Sequence, residues 1–175
     1  TAGNGHDTLF LSNQVSDNGT VYSFDIQSKA IQNTTDLLNK ENRTNVTMFQ
    51  EDHSRMNELI PVNHHGKIGT VMFNLGYLPT GDKTITTNPD STISAIKQSL
   101  ELLRPEGLLT VLAYTGHPGG QDEADRVQQA VNKLDEKRFS VTQISGQKSS
   151  PPAKGPERAA WCTPGSLHAG SAVHP

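Results

Sequence analysis

A short segment after a hydrophobic stretch carries the residue types best suited to holding an amine. Asn74 and Tyr77 are separated by Leu75 and Gly76, and the hydrophobic residues of 68–73 precede them. An asparagine amide oxygen and a nearby backbone carbonyl accept hydrogen bonds from N–H groups, and a tyrosine ring can cover a flat base. An ordinary turn after a strand is the alternative. Because glycine permits tight backbone geometry at position 76, we favour an amine site.

A glycine turn at the start of the chain has the composition of a nucleotide-binding loop. Gly3 and Gly5 allow the backbone to approach a ligand closely, and a helix behind them would direct N–H groups at it. Asp25 lies twenty residues after Gly5, at the end of the next predicted strand, where a carboxylate can accept both hydroxyls of a ribose. The turn alone is consistent with a plain loop, but together with Asp25 it favours an adenosine-containing ligand.

Two cofactors of this chemical class are candidates. The fingerprint of NAD-binding loops has a third glycine three residues after the second, and Thr8 occupies that position here. The turn matches the looser glycine loop of S-adenosylmethionine-dependent enzymes better. An NAD-dependent oxidoreductase is kept as an alternative.

Two loops after later strands add polar candidates. Asp52 and His53 follow the strand predicted at 46–49, where the carboxylate can accept an exocyclic amine and the imidazole can pack on a ring. A helix cap with an exposed histidine fits these two residues equally well. His117 lies in a glycine-rich loop after the strand that ends at Tyr114, and a histidine there can carry a proton near neutral pH. No third ligand stands at a suitable spacing from the adjacent histidines at 64 and 65, so we expect no metal site.

The elements that must position these residues alternate between strand and helix. Apolar residues at helical spacing predict three helices. The first begins near Ala30, the second follows a cap at Asp90 or Ser91, and the third follows Gly119. The second helix is expected to end before a break at 104–107. Between the helices we predict strands at 21–25, 46–49, 68–73, 108–114 and 139–144.

This alternation predicts an α/β fold with a doubly wound, mostly parallel sheet. Ligands of such sheets bind beyond the carboxyl ends of the strands, and each candidate residue lies at such an end. The ends of the chain depart from the pattern, because no strand precedes the glycine turn and residues 147–175 are rich in Pro, Gly, Ala and Ser without periodicity. We therefore predict a domain over 1–146 that lacks its first helix and strand and its last strand, followed by a disordered tail. We expect such a domain to be poorly stable and weakly active.

Composition excludes several classes of function. The 175 residues contain 15 basic and 18 acidic side chains, so the chain has no large excess of positive charge for gripping nucleic acid. The one cysteine, Cys162, cannot form a disulfide within the chain. No apolar run is long enough to span a bilayer, and no signal peptide is visible, so we predict a soluble, cytoplasmic protein without a membrane partner.

Taken together, these motifs resemble a small bacterial family known as rRNA methylases, which are class I S-adenosylmethionine-dependent methyltransferases. The resemblance runs from residue 1 to about residue 152. The segments that carry it are 1–8, 24–27, 72–79, 81–83 and 116–120.

The resemblance implies S-adenosylmethionine as the cofactor and assigns residues to it. The loop that holds the amino-acid end of the cofactor is formed by Gly3, Asn4, Gly5 and His6. By the same resemblance Asp25 and Gln27 lie at the ribose and adenine, and the loop of Asp52 and His53 closes on the adenine.

The resemblance also implies a substrate, the aminomethyl group of 5-aminomethyl-2-thiouridine at the wobble position of a tRNA anticodon loop. Residues 74–77 are similar to the Asn-Pro-Pro-Tyr motif of amino methyltransferases, with Leu75 and Gly76 in place of the prolines. Asn74 and the Leu75 carbonyl would orient the amine, Tyr77 would stack on the base, and His117 or Asp82 would take the proton. An rRNA methyltransferase, a non-catalytic fragment with residual cofactor or RNA binding, and a homodimer are further expectations.

Overall fold

The predicted alternation of strand and helix is present in the computed structural model, which describes residues 1–15, 19–79, 81–145 and 158–163. The helices are α1 (His6–Gln14), α2 (Ser28–Lys40), α3 (Met56–Leu59), α4 (Pro89–Leu102) and α5 (Gly120–Val131). The strands are β1 (Val21–Phe24), β2 (Val46–Phe49), β3 (Ile68–Leu75), β4 (Leu103–Tyr114), β5 (Thr142–Ser145) and β6 (Arg158–Thr163). Two 3-10 turns cover His53–Arg55 and Val62–His64.

Helix α4 begins earlier than the sequence predicts. Asn88 is its cap, because the Asn88 side-chain oxygen accepts a hydrogen bond of 2.8 Å from the Asp90 amide. Pro89 occupies the first turn, where its missing N–H costs nothing. The expectation of a cap at Asp90 or Ser91 is therefore wrong by two or three residues.

Strands β3 and β4 are both longer than predicted. β3 continues through Asn74 to Leu75, so Asn74 does not end it. Helix α4 ends at Leu102, before residues 104–107, as predicted. Ile68 pairs with Leu103, but Thr70 pairs with Leu108, so residues 104–107 form a bulge inside β4.

The larger sheet has the order β3-β4-β6-β5, with β3 and β4 parallel and β6 antiparallel to both of its neighbours. The prediction that the last strand is missing is wrong, since residues 158–163 form β6 in the middle of this sheet. The sequence of β6 includes an unalternating run of Ala, Ala, Trp and Cys, and such a run gives no period of two by which to recognise a strand. Residues 146–157 and 164–175 lie outside the described residues, so the boundary at 146 and the rest of the disordered tail stay predictions.

The smaller sheet pairs β1 with β2 in parallel and is separate from the larger one. In the described part of the chain no strand pairs with both β1 and β3. A cavity of about 700 Å³ occupies this gap, lined by both strands and by α1. Thr1 closes its carboxyl end, because the Ala2 amide donates to the Phe24 carbonyl at 2.7 Å and the Asn74 amide donates to the Thr1 hydroxyl at 3.1 Å.

The hydrophobic core lies between the larger sheet and helices α4 and α5. Its best-buried members lie on these elements: Phe73, Leu75, Ala95, Ile96, Leu102, Leu109, Val111, Ala113, Val127 and Val131. Burial of these side chains anchors β3 and β4, which deliver Asn74 and the loop of His117 to one edge of the sheet. Across the described ranges, every helix is too short or too polar to cross a membrane.

Candidate functional site

The loops at the carboxyl ends of β1, β3 and β4 meet at one edge of the protein. Asp25 follows β1 directly, and Asn74 is the last residue but one of β3. His117 lies three residues after β4. β3 and β4 are parallel, so their carboxyl ends lie on the same side. Thr1 bonds to Asn74 and Ala2 bonds to Phe24, which brings the end of β1 to the same edge, as the sequence predicts.

Asp25 is tied to the glycine loop through its carboxylate. One oxygen accepts from the Gly3 amide and the other from the Gln27 amide, each at 3.0 Å. Both bonds come from backbone N–H groups, so the orientation of the carboxylate is set by the main chain. A carboxylate has about four acceptor positions, so capacity remains for two hydroxyl donors.

The glycines of the loop differ in their surroundings. Gly3 has φ +58° and Gly5 has φ +87°, both in the left-handed region. A Cβ at Gly5 would lie 2.9 Å from the Thr34 Cα, so Gly5 is required for the loop to pack on α2. A Cβ at Gly3 would meet nothing within 4 Å, so the space above Gly3 is open to a ligand.

The remaining predicted cofactor residues of this region are also near the loop. The Asn33 side-chain amide donates to the Asn4 side-chain oxygen at 3.0 Å, which joins the loop to α2. His6 is exposed and begins α1. The structure therefore brings together Gly3, Asn4, Gly5, His6, Asp25 and Gln27.

His53 is enclosed instead of facing a ligand. Its side chain is buried with 7% exposure, and its ring stands edge-on to Phe73 with centroids 5.5 Å apart. Burial lowers the pKa of His53 to about 4, the positive amino group of Thr1 adds to this effect, and Asp52 opposes it. The imidazole is thus neutral at physiological pH.

Asp52 caps the 3-10 turn that contains His53, with its carboxylate accepting from the Ser54 amide at 2.7 Å. Burial raises the pKa of Asp52, but the hydrogen bonds from Ser54 outweigh burial and hold the pKa below its ordinary value. Asp52 therefore stays ionised, and both of its carboxylate oxygens can accept a hydrogen bond from an exocyclic amine.

Asn74 is held firmly at the edge of the gap between the sheets. Its side-chain nitrogen donates to the Asp7 carboxylate at 2.5 Å, and its backbone carbonyl accepts from the Thr1 hydroxyl at 2.9 Å. Because an ionised carboxylate only accepts, the nitrogen of the carboxamide must face Asp7. The carboxamide oxygen is then left to accept hydrogen bonds from another group.

Tyr77 lies between two cationic or basic side chains. Its ring meets the His117 ring edge-on, with centroids 5.6 Å apart, and the Lys83 ammonium lies 5.6 Å from its centroid. Gly76 precedes Tyr77 with φ +145°, and a Cβ there would approach His117 Nε2 to 3.4 Å. The structure thus brings Tyr77 and His117 into contact, whereas Asn74, three residues earlier, bonds to Asp7 and Thr1. We refer to Asn74, Tyr77 and His117 together as the cluster.

The two predicted proton acceptors differ in character. His117 Nδ1 lies 3.0 Å from the Pro118 carbonyl, to which it can only donate, so the neutral ring carries its lone pair on Nε2. This Nε2 is buried and has no hydrogen-bond partner among the described residues. Asp82 is exposed, and hydrogen bonds from Thr84 lower its pKa, which makes Asp82 the weaker base.

Sequence reasoning missed two acidic residues that support the cluster. Asp7 holds Asn74 from the first turn of α1. Glu123 is buried on α5 with 2% exposure and receives hydrogen bonds from two threonines. Glu123 precedes Val127 by four residues and so lies on the apolar stripe of the helix, which is the signal that could have revealed it.

The described geometry agrees with comparisons to known proteins. Residues 21–154 match the family described as "Putative rRNA methylase". The chain is 41% identical over 137 residues to the tRNA (mnm(5)s(2)U34)-methyltransferase of Arabidopsis thaliana chloroplasts, covering 73% of this chain and 49% of that protein. The chain therefore spans about half the length of this curated relative.

Two solved structures superpose closely. One is described as a "putative rRNA-methylase" from Clostridium thermocellum, with a TM-score of 0.86, 37% identity, and coverage of 95% of this chain and 86% of that chain. The other is a "putative methyltransferase" from Streptococcus mutans in complex with SAH, with a TM-score of 0.80, 31% identity, and coverage of 95% and 85%. The fold is that of the class I methyltransferases, and the chain belongs to the rRNA methylase family.

Proposed function

We propose that this protein uses S-adenosylmethionine to methylate the aminomethyl nitrogen of 5-aminomethyl-2-thiouridine at the wobble position of tRNA. The observation that carries the proposal is the fixed carboxamide of Asn74, whose nitrogen donates to Asp7 and whose oxygen is left for a substrate N–H. The name of the Arabidopsis relative supports this substrate, and the SAH bound to the Streptococcus structure supports the cofactor.

The glycine loop and Asp25 fit an adenosine-containing sulfonium cofactor. Open space above Gly3 admits it, and Asp25 can accept the ribose hydroxyls while its orientation is held by backbone amides. Gln27 and Asp52 are the polar groups we assign to the adenine side. When bound, S-adenosylmethionine supplies a methyl group on a positively charged sulfur, which keeps the electrons of the broken carbon–sulfur bond.

The residues of the cluster position the nucleophile. The Asn74 oxygen and the Leu75 carbonyl accept the two N–H groups of the neutral amine, which directs the nitrogen lone pair at the methyl carbon. Tyr77 stacks on the modified base, with its ring orientation set by His117 and Lys83. The contribution of these groups is alignment of the two reactants.

One proton must leave during the reaction. The new carbon–nitrogen bond makes the nitrogen positive, and an alkylamine also holds its proton at neutral pH before reaction. We assign the proton to His117 Nε2, which carries the lone pair of the neutral ring. Because this atom is enclosed by Gly76 and Gly120, substrate entry has to move the loop of 116–120 for the transfer.

Replacement of Asn74 tests the proposal. We expect Asn74→Ala to lower the rate of methyl transfer by roughly a hundredfold, because the amine loses an aligned acceptor, while S-adenosylmethionine binding is retained. The rate is measured with radiolabelled cofactor and tRNA bearing 5-aminomethyl-2-thiouridine, and binding by isothermal titration. Asn63→Ala makes the same change at an exposed asparagine in the turn Val62–His64, so it is the matched control and should keep wild-type turnover.

The alternatives give different results in the same measurements. A non-catalytic fragment would transfer no methyl group to the modified tRNA, even where it binds S-adenosylmethionine. An oxidoreductase would bind a nicotinamide cofactor instead. An rRNA methyltransferase would label rRNA and leave the modified tRNA unlabelled. Unchanged turnover in Asn74→Ala would remove Asn74 from the mechanism. The cytoplasmic location and the homodimer stay predictions, for which cell fractionation and sedimentation are the measurements.

A further inference from the structure

Glu123 is a buried carboxylate that the proposed chemistry does not use. Its side chain is 2% exposed in the first turn of α5. One oxygen accepts from the Thr87 hydroxyl at 2.5 Å, and the other accepts from the Thr92 hydroxyl at 2.7 Å. Burial of a carboxylate is costly unless such donors compensate, and the amino end of a helix adds to the compensation. The placement of Glu123 therefore calls for an explanation.

The hydrogen bonds of Glu123 have a defined direction. The Thr87 hydroxyl gives its single proton to the Glu123 carboxyl oxygen. The Thr87 oxygen is then oriented to accept from the Gly76 amide, which lies 2.8 Å away. A directed chain therefore runs from the Gly76 N–H through Thr87 to Glu123, and each bond in such a chain strengthens the next.

This chain ends on the segment that carries the proposed amine site. Gly76 lies between Leu75, whose carbonyl is assigned to the substrate, and Tyr77. The Thr87 amide also donates to the Gly76 carbonyl at 2.9 Å, and Thr86 forms a backbone bridge with Tyr77. Both polar groups of the Gly76 backbone are thus held by a residue that Glu123 orients.

We propose that Glu123 is a positioning residue, which aligns the segment of residues 74–77 for methyl transfer through the directed chain of Thr87 and the Gly76 amide. The proposal rests on the proposed function, because it concerns the same site. Glu123 does not contact Asn74 or Tyr77, so its effect on catalysis is transmitted by the backbone at Gly76.

Variants of Glu123 and Thr87 test this inference. We expect Glu123→Ala and Thr87→Val each to lower kcat by roughly a hundredfold, with the affinity for S-adenosylmethionine retained, since a misplaced site costs rate and leaves cofactor binding intact. Thr87→Ser keeps the hydroxyl and should restore most of the rate. The double variant should be no slower than either single variant, because both break one chain. Asp122→Asn, one residue away and exposed, is the control and should behave as wild type.

The amide of Gly76 supplies a readout that is independent of activity. Hydrogen exchange of this amide, followed by NMR, should be faster in Glu123→Ala and Thr87→Val than in wild type and Thr87→Ser. If Glu123→Ala does not fold, the Thr87→Val and Thr87→Ser pair still decides the matter.

The outcomes separate this inference from the proposed function. With an active wild type, the double variant could lose as much kcat as the two single variants combined, or Thr87→Val could keep the wild-type kcat. Either result would overturn the role of Glu123 and leave the proposed function standing. An inactive wild type would refute the proposed function. In that case hydrogen exchange of the Gly76 amide alone would test whether Glu123 and Thr87 hold this segment. Unchanged exchange in the variants would contradict that role.

Discussion

Histidines 53 and 117 both follow strands in the sequence, yet they occupy different environments. His53 is enclosed among Phe73 and the start of α4, which makes its imidazole part of the interior. His117 contacts the ring of Tyr77 and keeps its lone pair on Nε2. We therefore expect His53 to affect the stability of the fold and His117 to take part in the proposed chemistry.

His53 predicts a specific pH dependence of stability. Its folded pKa, about 4, lies below its ordinary value of 6.5, so the unfolded chain binds the proton more tightly. The stability is fully present above pH 6.5 and is lost as the pH falls toward the folded pKa. Full protonation should lower the free energy of unfolding by about 3 kcal/mol. Urea unfolding between pH 7 and pH 4 measures this change.

The contribution of His53 is isolated by comparison with a variant that cannot titrate. His53→Gln should unfold with a shallower dependence on pH than wild type over this interval, because the buried imidazole is gone and the contribution of its protonation is lost. His6→Gln removes an exposed histidine and should follow the wild-type curve. Parallel curves for wild type and His53→Gln would contradict the buried, neutral histidine.

At the scale of elements, the glycine loop has one face on α2 and one face toward open space. Gly5 packs against Thr34, which has 0% exposure, whereas Gly3 donates its amide to Asp25 and has nothing above its Cα. Two glycines in the same motif thus have separable roles, one in folding and one in ligand access.

Alanine at each glycine should separate these roles. Gly5→Ala forces a Cβ to 2.9 Å from the Thr34 Cα and should destabilise the protein. The expected loss is about 2 to 4 kcal/mol, from overpacking and a strained left-handed backbone. Gly3→Ala has only the backbone strain, about 1 to 2 kcal/mol, but its methyl group enters the proposed cofactor space. Thermal unfolding and titration with S-adenosylmethionine distinguish the two variants.

The expected pattern is a low melting temperature for Gly5→Ala and weak cofactor binding in a folded Gly3→Ala. A Gly3→Ala variant that binds S-adenosylmethionine as tightly as wild type would place the cofactor elsewhere. Equal melting temperatures would show that the contact of Gly5 with α2 is not important for the fold.

Elements with a clear local signal are predictable from this sequence, and those that depend on distant partners are not. The strands at 21–24 and 46–49 and the stripe of α5 follow from apolar spacing. Asp25 and Asn74 are candidates because they stand at or near the ends of predicted strands, and Gly3 because of its glycine turn; their roles in the site stay predictions. β6 has no period, so only its pairing with β4 and β5 reveals it. Glu123 is 36 residues from Thr87, and no local pattern links such a pair.

At the scale of the whole molecule, the strands form two sheets with a cavity between β1 and β3. The facing edges of β1 and β3 border a cavity of about 700 Å³, and each edge presents backbone groups that a neighbouring strand would pair. Thr1 hydrogen-bonds to Asn74, at the carboxyl end of β3, and Ala2 hydrogen-bonds to Phe24, at the carboxyl end of β1. A strand placed before Thr1 would therefore run parallel to both edges.

An extension of the chain before Thr1 should fill this gap and stabilise the protein. About six residues of the valine and isoleucine type span roughly 20 Å, which matches residues 68–73, the part of β3 that lines the cavity. A strand covered on both faces is apolar throughout. The extended chain should melt several degrees higher than the chain without it, because backbone pairs form on both sides and apolar area is buried. An extension of the same length with proline at alternate positions is the matched control, since proline cannot donate to a ladder and should give no such rise. Equal melting temperatures for the two extensions would show that the gap does not accept a strand. The cavity would then remain unfilled in the extended chain.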